Sequence, residues 1–174
     1  MADRVVVLVA PSVGHVSGIA SWRAALPTAT VVASGPTAKR LTERGVEIHD
    51  PSRVPLPRAV QLLVPPGSNL GEVWMRVEDS NHVHWIVCDA FTNIDRLSPS
   101  LWLRALQWLY GLRTGRRLSS ALRRSRTDPT AFRTWLHTEL DRGCHTLTPC
   151  HGEIDNRSRL PERIKEVAEQ ALRA

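Results

Sequence analysis

Two hydrophobic periods divide this chain of 174 residues. Val5 through Val9 is an unbroken apolar run, the pattern of a strand covered on both faces. A turn with Pro11 and Gly14 follows. Ile19, Trp22, Ala25 and Leu26 then recur at helical spacing, which predicts a helix from about residue 18 to Pro27. Thr30 to Ala33 predicts a second covered strand. Pro36 to Arg44 predicts a second helix, with Gly45 as its stop. Val46 to Ile48 reads as a short strand. The first fifty residues therefore alternate strand and helix, which favours parallel pairing and an α/β fold.

The pattern then changes. Five prolines between residues 50 and 67 leave room for one strand, around Val60–Val64. Glu72 to Val77 alternates like a strand with one wet face. Asp79-Ser80-Asn81 is a turn, and His84 to Cys88 returns as a second strand, so the pair predicts a hairpin. From Ser98 to Gly143 the spacing is helical. One helix follows Ser98-Pro99, a second is predicted over about Thr114 to Arg124, and a third runs from Asp128-Pro129 to Gly143. His145 to Thr148 is a short strand. A final helix spans about Leu160 to Leu172.

Composition adds limits. The hydrophobic fraction is 42% and the charged fraction 23%, ordinary for a globular protein. The length suits a single domain over residues 1–174. No apolar run approaches the roughly 20 residues that cross a bilayer, so no membrane span is expected. The Val5–Val9 run is too short for a secretory signal, so a cytoplasmic protein is the expectation. Three cysteines without a CxxC pair argue against a disulfide framework and a zinc knuckle. The net charge of +6 comes almost wholly from arginine. Arg104, Arg113, Arg116, Arg117, Arg123, Arg124, Arg126 and Arg133 lie among Trp102, Trp108 and Tyr110. Such a stretch suits a solvated helix face, a surface for nucleic acid or anionic lipid, or a roof that grips an anionic substrate. No nucleic-acid motif accompanies it, so no specific nucleic-acid partner is expected.

Three separated segments carry candidate chemistry. They are Ala10-Pro11-Ser12-Val13-Gly14-His15, then Pro66-Gly67-Ser68-Asn69-Leu70-Gly71, then Cys88-Asp89 with Pro149-Cys150-His151-Gly152. In this order they resemble the HxHxDH, PGHTxG, GD and PGHG segments of the metallo-β-lactamase superfamily, in a degenerate form. The resemblance covers most of the chain apart from residues 96–143. It implies a reduced αβ/βα sandwich with mixed sheets, one domain, and a helical insertion over about 96–143.

The resemblance also assigns roles. Ala10, Ser12 and Ser68 stand where three histidines would hold one metal. Gly14 replaces the aspartate of HxHxDH. His15, His151 and the bridging Asp89 survive, so the second metal site keeps two imidazoles and one carboxylate. That set can hold one zinc with an open position, or one ferrous iron, and no more than one ion. Asp89 is thus both candidate metal ligand and candidate catalytic group. Two readings stand side by side. One is a mononuclear hydrolase of an ester, thioester or lactone, with a small-molecule substrate. The other is a metal-free binding or structural relative that keeps the fold alone.

Cys88 and Cys150 each precede a candidate ligand, so strand alternation predicts that both point away from the metal. Glu72 and Asp95 are candidate replacement carboxylates. Only about nine residues precede the first motif, which implies missing strands in the N-terminal sheet. A homodimer that covers this face is the resulting expectation. The Val5–Val9 strand and the turn after it also resemble the start of glycosyltransferases built from paired Rossmann-like halves. The length excludes two such halves, and GxGxxG is absent.

Overall fold

A computed structural model describes residues 6–173. Among the described residues, strands of three small sheets are interspersed with six α-helices. Strand β1 (Val7–Val9) pairs in parallel with β2 (Thr30–Val32), joined by α1 (Ile19–Ala25). Val5, the start of the expected first strand, lies outside the described residues. Helix α2 (Gly35–Thr42) follows and ends two residues earlier than expected, and the turn after it passes through Gly45, whose φ is 75°. The expected strand over Val46–Ile48 does not form. Only an isolated bridge joins His49 to Val32 there. Ala10, Val16, Ile19, Val31, Ala33, Leu41 and Val46 make a small core for this part.

The second sheet holds β3 (Val60–Leu63), β4 (Trp74–Asp79), β5 (His82–Ile86) and β8 (Thr146–Thr148), in that order. The predicted hairpin is present as β4–β5, with Asp79 opposite His82 across the turn. The predicted wet face is not wet. Arg76 is buried and pairs with Glu78 at 2.7 Å and with Glu139 at 3.8 Å. Glu139 belongs to α5 (Pro129–Asp141), which lies over that face. A paired guanidinium satisfies an interior position that its polarity alone assigns to solvent.

The third sheet has the order β7-β6-β9: β7 (Gly115–Leu118), β6 (Phe91–Ile94) and β9 (His151–Gly152). Here the sequence reading needs its main correction. The helix expected over Thr114 to Arg124 is split into β7 and a short helix α4 (Ser120–Ser125), capped by the Ser119 hydroxyl. Pairing with β6 brings Leu118 against Phe91, and both are buried in the core. A tertiary partner outweighs local helix preference. Helix α3 (Leu101–Leu109) precedes β7, and α6 (Leu160–Arg173) ends the described chain.

The second and third sheets share one core with α4, α5 and α6. Trp74 and Trp85 are fully enclosed. Trp74 meets Trp135 at 5.2 Å, Phe91 at 5.8 Å and Phe132 at 6.3 Å between ring centroids. Such tilted contacts suit the ring quadrupoles. Mixed sheets with flanking helices make this an α/β fold. Among the described residues no helix is long and apolar enough to cross a membrane.

Candidate metal centre

Parallel pairing places the chemistry. Strand β5 runs beside β8 in the same direction, and Val87 extends the ladder by donating to Thr148 O at 2.9 Å. The two strands therefore end together, and the residues just past them meet. Those residues are Asp89 on one side and Cys150-His151 on the other. The turn after β1 arrives from the first sheet. It is pinned where Val13 donates to Leu70 O at 3.1 Å and Val73 donates to Pro11 O at 3.1 Å. The loop that holds it is itself held by Thr37, whose hydroxyl donates to Gly71 O at 2.8 Å.

The three sequence-predicted residues converge on one carboxylate. Asp89 Oδ1 lies 3.0 Å from His15 Nε2 and 3.2 Å from His151 Nε2. The two imidazole centroids are 5.7 Å apart. Asp89 Oδ2 accepts from the Ser12 hydroxyl at 2.5 Å. Ser12 is fully buried and fixes the carboxylate. Ala10 and Ser68, the other two positions where the resemblance expected histidines, take no such part. Ala10 is buried in the small core. Ser68 bonds to the Ser125 hydroxyl at 3.2 Å and accepts from Leu70 N. A Cβ on Gly14 would lie 3.5 Å from Asp89 Oδ2 and 3.6 Å from Ser12 Oγ, so this position faces the cluster.

Cys150 overturns the alternation argument. Its Sγ lies 3.5 Å from Asp89 Oδ1 and 4.0 Å from His15 Nε2. Alternation holds only inside a strand. Pro149 ends β8, and the chain crosses to β9 in another sheet, so Cys150 and His151 both turn toward Asp89. Pro149, which cannot donate to a continuing ladder, was the available signal. Cys88 is buried, with its Sγ 3.8 Å from that of Cys150. The donor atoms of His15, Asp89, Cys150 and His151 all lie within 4.8 Å of one another. Two imidazoles, a carboxylate and a thiol are zinc-type donors.

Electrostatics follow from the shared carboxylate. Burial alone would raise the Asp89 carboxyl, but hydrogen bonds from His151, Ser12 and His15 hold it well below the usual carboxylate range. The bond to Asp89, then that to Cys150, pushes His151 up to about 10. Cys150 is held down at about 6, chiefly by the Cys88 thiol that donates to it and then by His151. The histidine side chains remain open to solvent, 40% exposed at His15 and 46% at His151. A cavity of about 270 Å³ adjoins the cluster. Asp89, His151, Thr92, Tyr110, Leu112 and Ala121 help to line it.

Of the two candidate replacement carboxylates, Asp95 lies apart, whereas a Glu72 oxygen, Cys88 Sγ and an Asp89 oxygen fall within 4.8 Å of one another. Asp95 is exposed beside Arg96. His82 and His84 bond to the Thr146 and Thr148 hydroxyls across the sheet. Glu72 is buried behind Asp89, where its Oε2 accepts from Trp74 Nε1 at 2.5 Å. Burial pushes its carboxyl up to about 8, with the Asp89 charge adding to the shift. The folded protein thus holds this proton more tightly than the unfolded chain. Its stabilising effect is complete below the ordinary glutamate range and is lost as pH rises to about 8. Glu72→Gln keeps the shape and removes the titration. Its denaturation midpoint relative to the parent is expected to climb between about pH 5 and about pH 9. A difference that stays flat with pH would show that Glu72 is not a buried neutral acid.

No protein-family model matches the sequence, and no curated protein does. Solved structures do match. The DIM-1 metallo-β-lactamase exposed to ceftazidime aligns with a TM-score of 0.53 and 17% identity, over 94% of this chain and 67% of that one. VMB-1, solved at pH 5.5, aligns with a TM-score of 0.54 and 12% identity, again over 94% and 67%. The chain has the metallo-β-lactamase fold.

Proposed function

We propose that this protein is a mononuclear metal-dependent hydrolase whose ion is held by His15, Asp89 and His151, with Cys150 as a further donor. The observation that carries the reading is the meeting of these four donor sets within 4.8 Å. They come from three separate stretches of chain, at the end of the paired strands. A thiol beside two imidazoles favours zinc over the hard cations magnesium and calcium. Zinc in such a site supplies a Lewis acid and an activated water for attack on an ester, thioester or lactone carbonyl. The chain's own residues prepare the place. Ser12 fixes one Asp89 oxygen, so the other faces both imidazoles. Tyr110, Leu112 and Ala121 give the adjoining cavity an apolar wall for the uncharged part of a substrate.

Elemental analysis and equilibrium dialysis test this. One zinc per chain is expected, lost in the His15→Ala/His151→Ala double variant. Cobalt in its place is expected to show a thiolate charge-transfer band that Cys150→Ser removes. A panel of nitrophenyl esters, thioesters and lactones then reads the activity of the zinc-loaded protein. Protein that takes up no zinc, with melting behaviour unchanged when zinc is added, overturns the proposal. The second reading, a metal-free relative that keeps only the fold, then stands.

A further inference from the structure

Beside the metal cluster lies a second cavity, of about 240 Å³, between the β7 edge and α6. Arg113, Arg116, Arg117 and Arg123 line it, and among the described residues no acidic one does. Four guanidiniums in one hollow repel each other, and the one carboxylate that reaches any of them is shared. Arg116 is nine-tenths buried and pairs with the enclosed Asp155. That same carboxylate accepts two bonds from Arg157, so one negative charge serves two positive ones. Burial first, then the charges of Arg157 and Arg163, lower Arg116 to about 10. Arg113 donates to the Trp108 and Leu112 carbonyls and stacks on the Trp108 ring at 4.8 Å. Arg117 donates to Thr114 O. These contacts fix the side chains and leave their charge unbalanced. The sequence reinforces the point, because no acidic residue occurs between Arg96 and Asp128. A neighbouring hollow with Arg157, Arg159 and Arg163 also holds Glu162 and Glu166, which offset part of its charge.

The position matters as much as the charge. In the third sheet Thr92 stands opposite Arg117 on one side and opposite His151 on the other. In-register neighbours share a face, so Arg117, Thr92 and His151 form one row about 10 Å long. Thr92, Gly111 and Ser119 line both this hollow and the cavity at the metal cluster. A molecule in one can therefore reach into the other.

We propose that this arginine hollow binds the phosphoryl end of the substrate while its ester lies at the metal cluster. Guanidinium forks match phosphate oxygens, and a hollow without carboxylates favours a multiply charged anion. The substrate class is then a phosphorylated ester or thioester. This assignment of substrate rests on the hydrolase reading above, whereas the anion site itself does not.

Calorimetry with pyrophosphate at fixed ionic strength tests the site on the full chain without metal. Saturable binding is expected, weakened at least about tenfold in Arg113→Gln/Arg123→Gln and unchanged in His15→Ala/His151→Ala. Arg23→Gln/Arg44→Gln lowers the net charge equally and is expected to leave binding intact. Absence of saturable binding overturns the proposal. So does equal weakening in the control variant, or loss of binding in the histidine variant. On zinc-loaded protein, a phosphorylated nitrophenyl ester is expected to show a lower KM than its unphosphorylated analogue. Arg113→Gln/Arg123→Gln is expected to raise that KM and spare kcat. Equal KM values overturn the assignment to substrate. Pyrophosphate binding without zinc uptake rejects the hydrolase reading alone, and zinc uptake without pyrophosphate binding rejects the hollow alone.

Discussion

Asp89→Asn is expected to weaken zinc binding by at least about 100-fold and to leave the fold intact. The reason is that one oxygen of this side chain faces three donors. His15, His151 and Cys150 all approach Asp89 Oδ1 within 3.5 Å. An amide has nearly the same shape but no charge, so the site keeps its outline and loses the group that gathers it. The substitution also has a signature in the absence of metal. His151 stands near 10 chiefly because of its hydrogen bond to Asp89. In Asp89→Asn the imidazole should titrate lower than in the parent, with only the Cys150 contribution left to hold it up. An NMR titration of the histidine ring protons reads this directly. Unchanged zinc affinity, or a His151 that titrates as in the parent, would mean that Asp89 does not organise the cluster.

The second large effect is expected from a single methyl group. Gly152→Ala should destabilise the protein by roughly 3 kcal/mol or more, through an unfavourable backbone conformation and a clash that repacking cannot relieve. Gly152 has a φ of 112°. A Cβ there would come within 2.1 Å of Asn93 O and 2.4 Å of Asn93 C. Those atoms are backbone, and Asn93 O already accepts from Glu153 N at 2.7 Å. The chain can escape only by parting β9 from β6, which also displaces His151. Gly45→Ala is the matched control. It too has a positive φ, of 75°, but nothing lies within 4 Å of an added Cβ. That change is expected to cost about 1 kcal/mol. Denaturant midpoints compare the two, and a Gly152 variant no weaker than the Gly45 variant refutes the packing argument.

Much of this molecule was legible from residues alone, and the legible parts share a cause. Each depended on neighbours along the chain. The turn at Gly45, the hairpin through Asp79 to His82, and the helix that opens at Asp128-Pro129 need only local conformation and hydrophobic period. The trio His15, Asp89 and His151 was readable too, because a motif preserves the order and spacing of its residues. Its convergence followed from parallel strands that end side by side. Residues 115–118 were misread for the opposite reason. Gly-Arg-Arg-Leu carries no local strand signal, and only β6 beside it makes it a strand.

The remaining features are properties of space rather than of order. Local pattern specified most of the elements, since bond rotation and hydrophobic period act over a few residues, and motif order singled out His15, Asp89 and His151 as candidates. Tertiary structure alone turned Cys150 toward Asp89 where the chain leaves one sheet for another. It alone set Ser12 against the far oxygen and placed four arginines in a hollow one strand away from His151. Those contacts join residues up to 77 positions apart. Their energies depend on distance and burial, which no window of sequence contains.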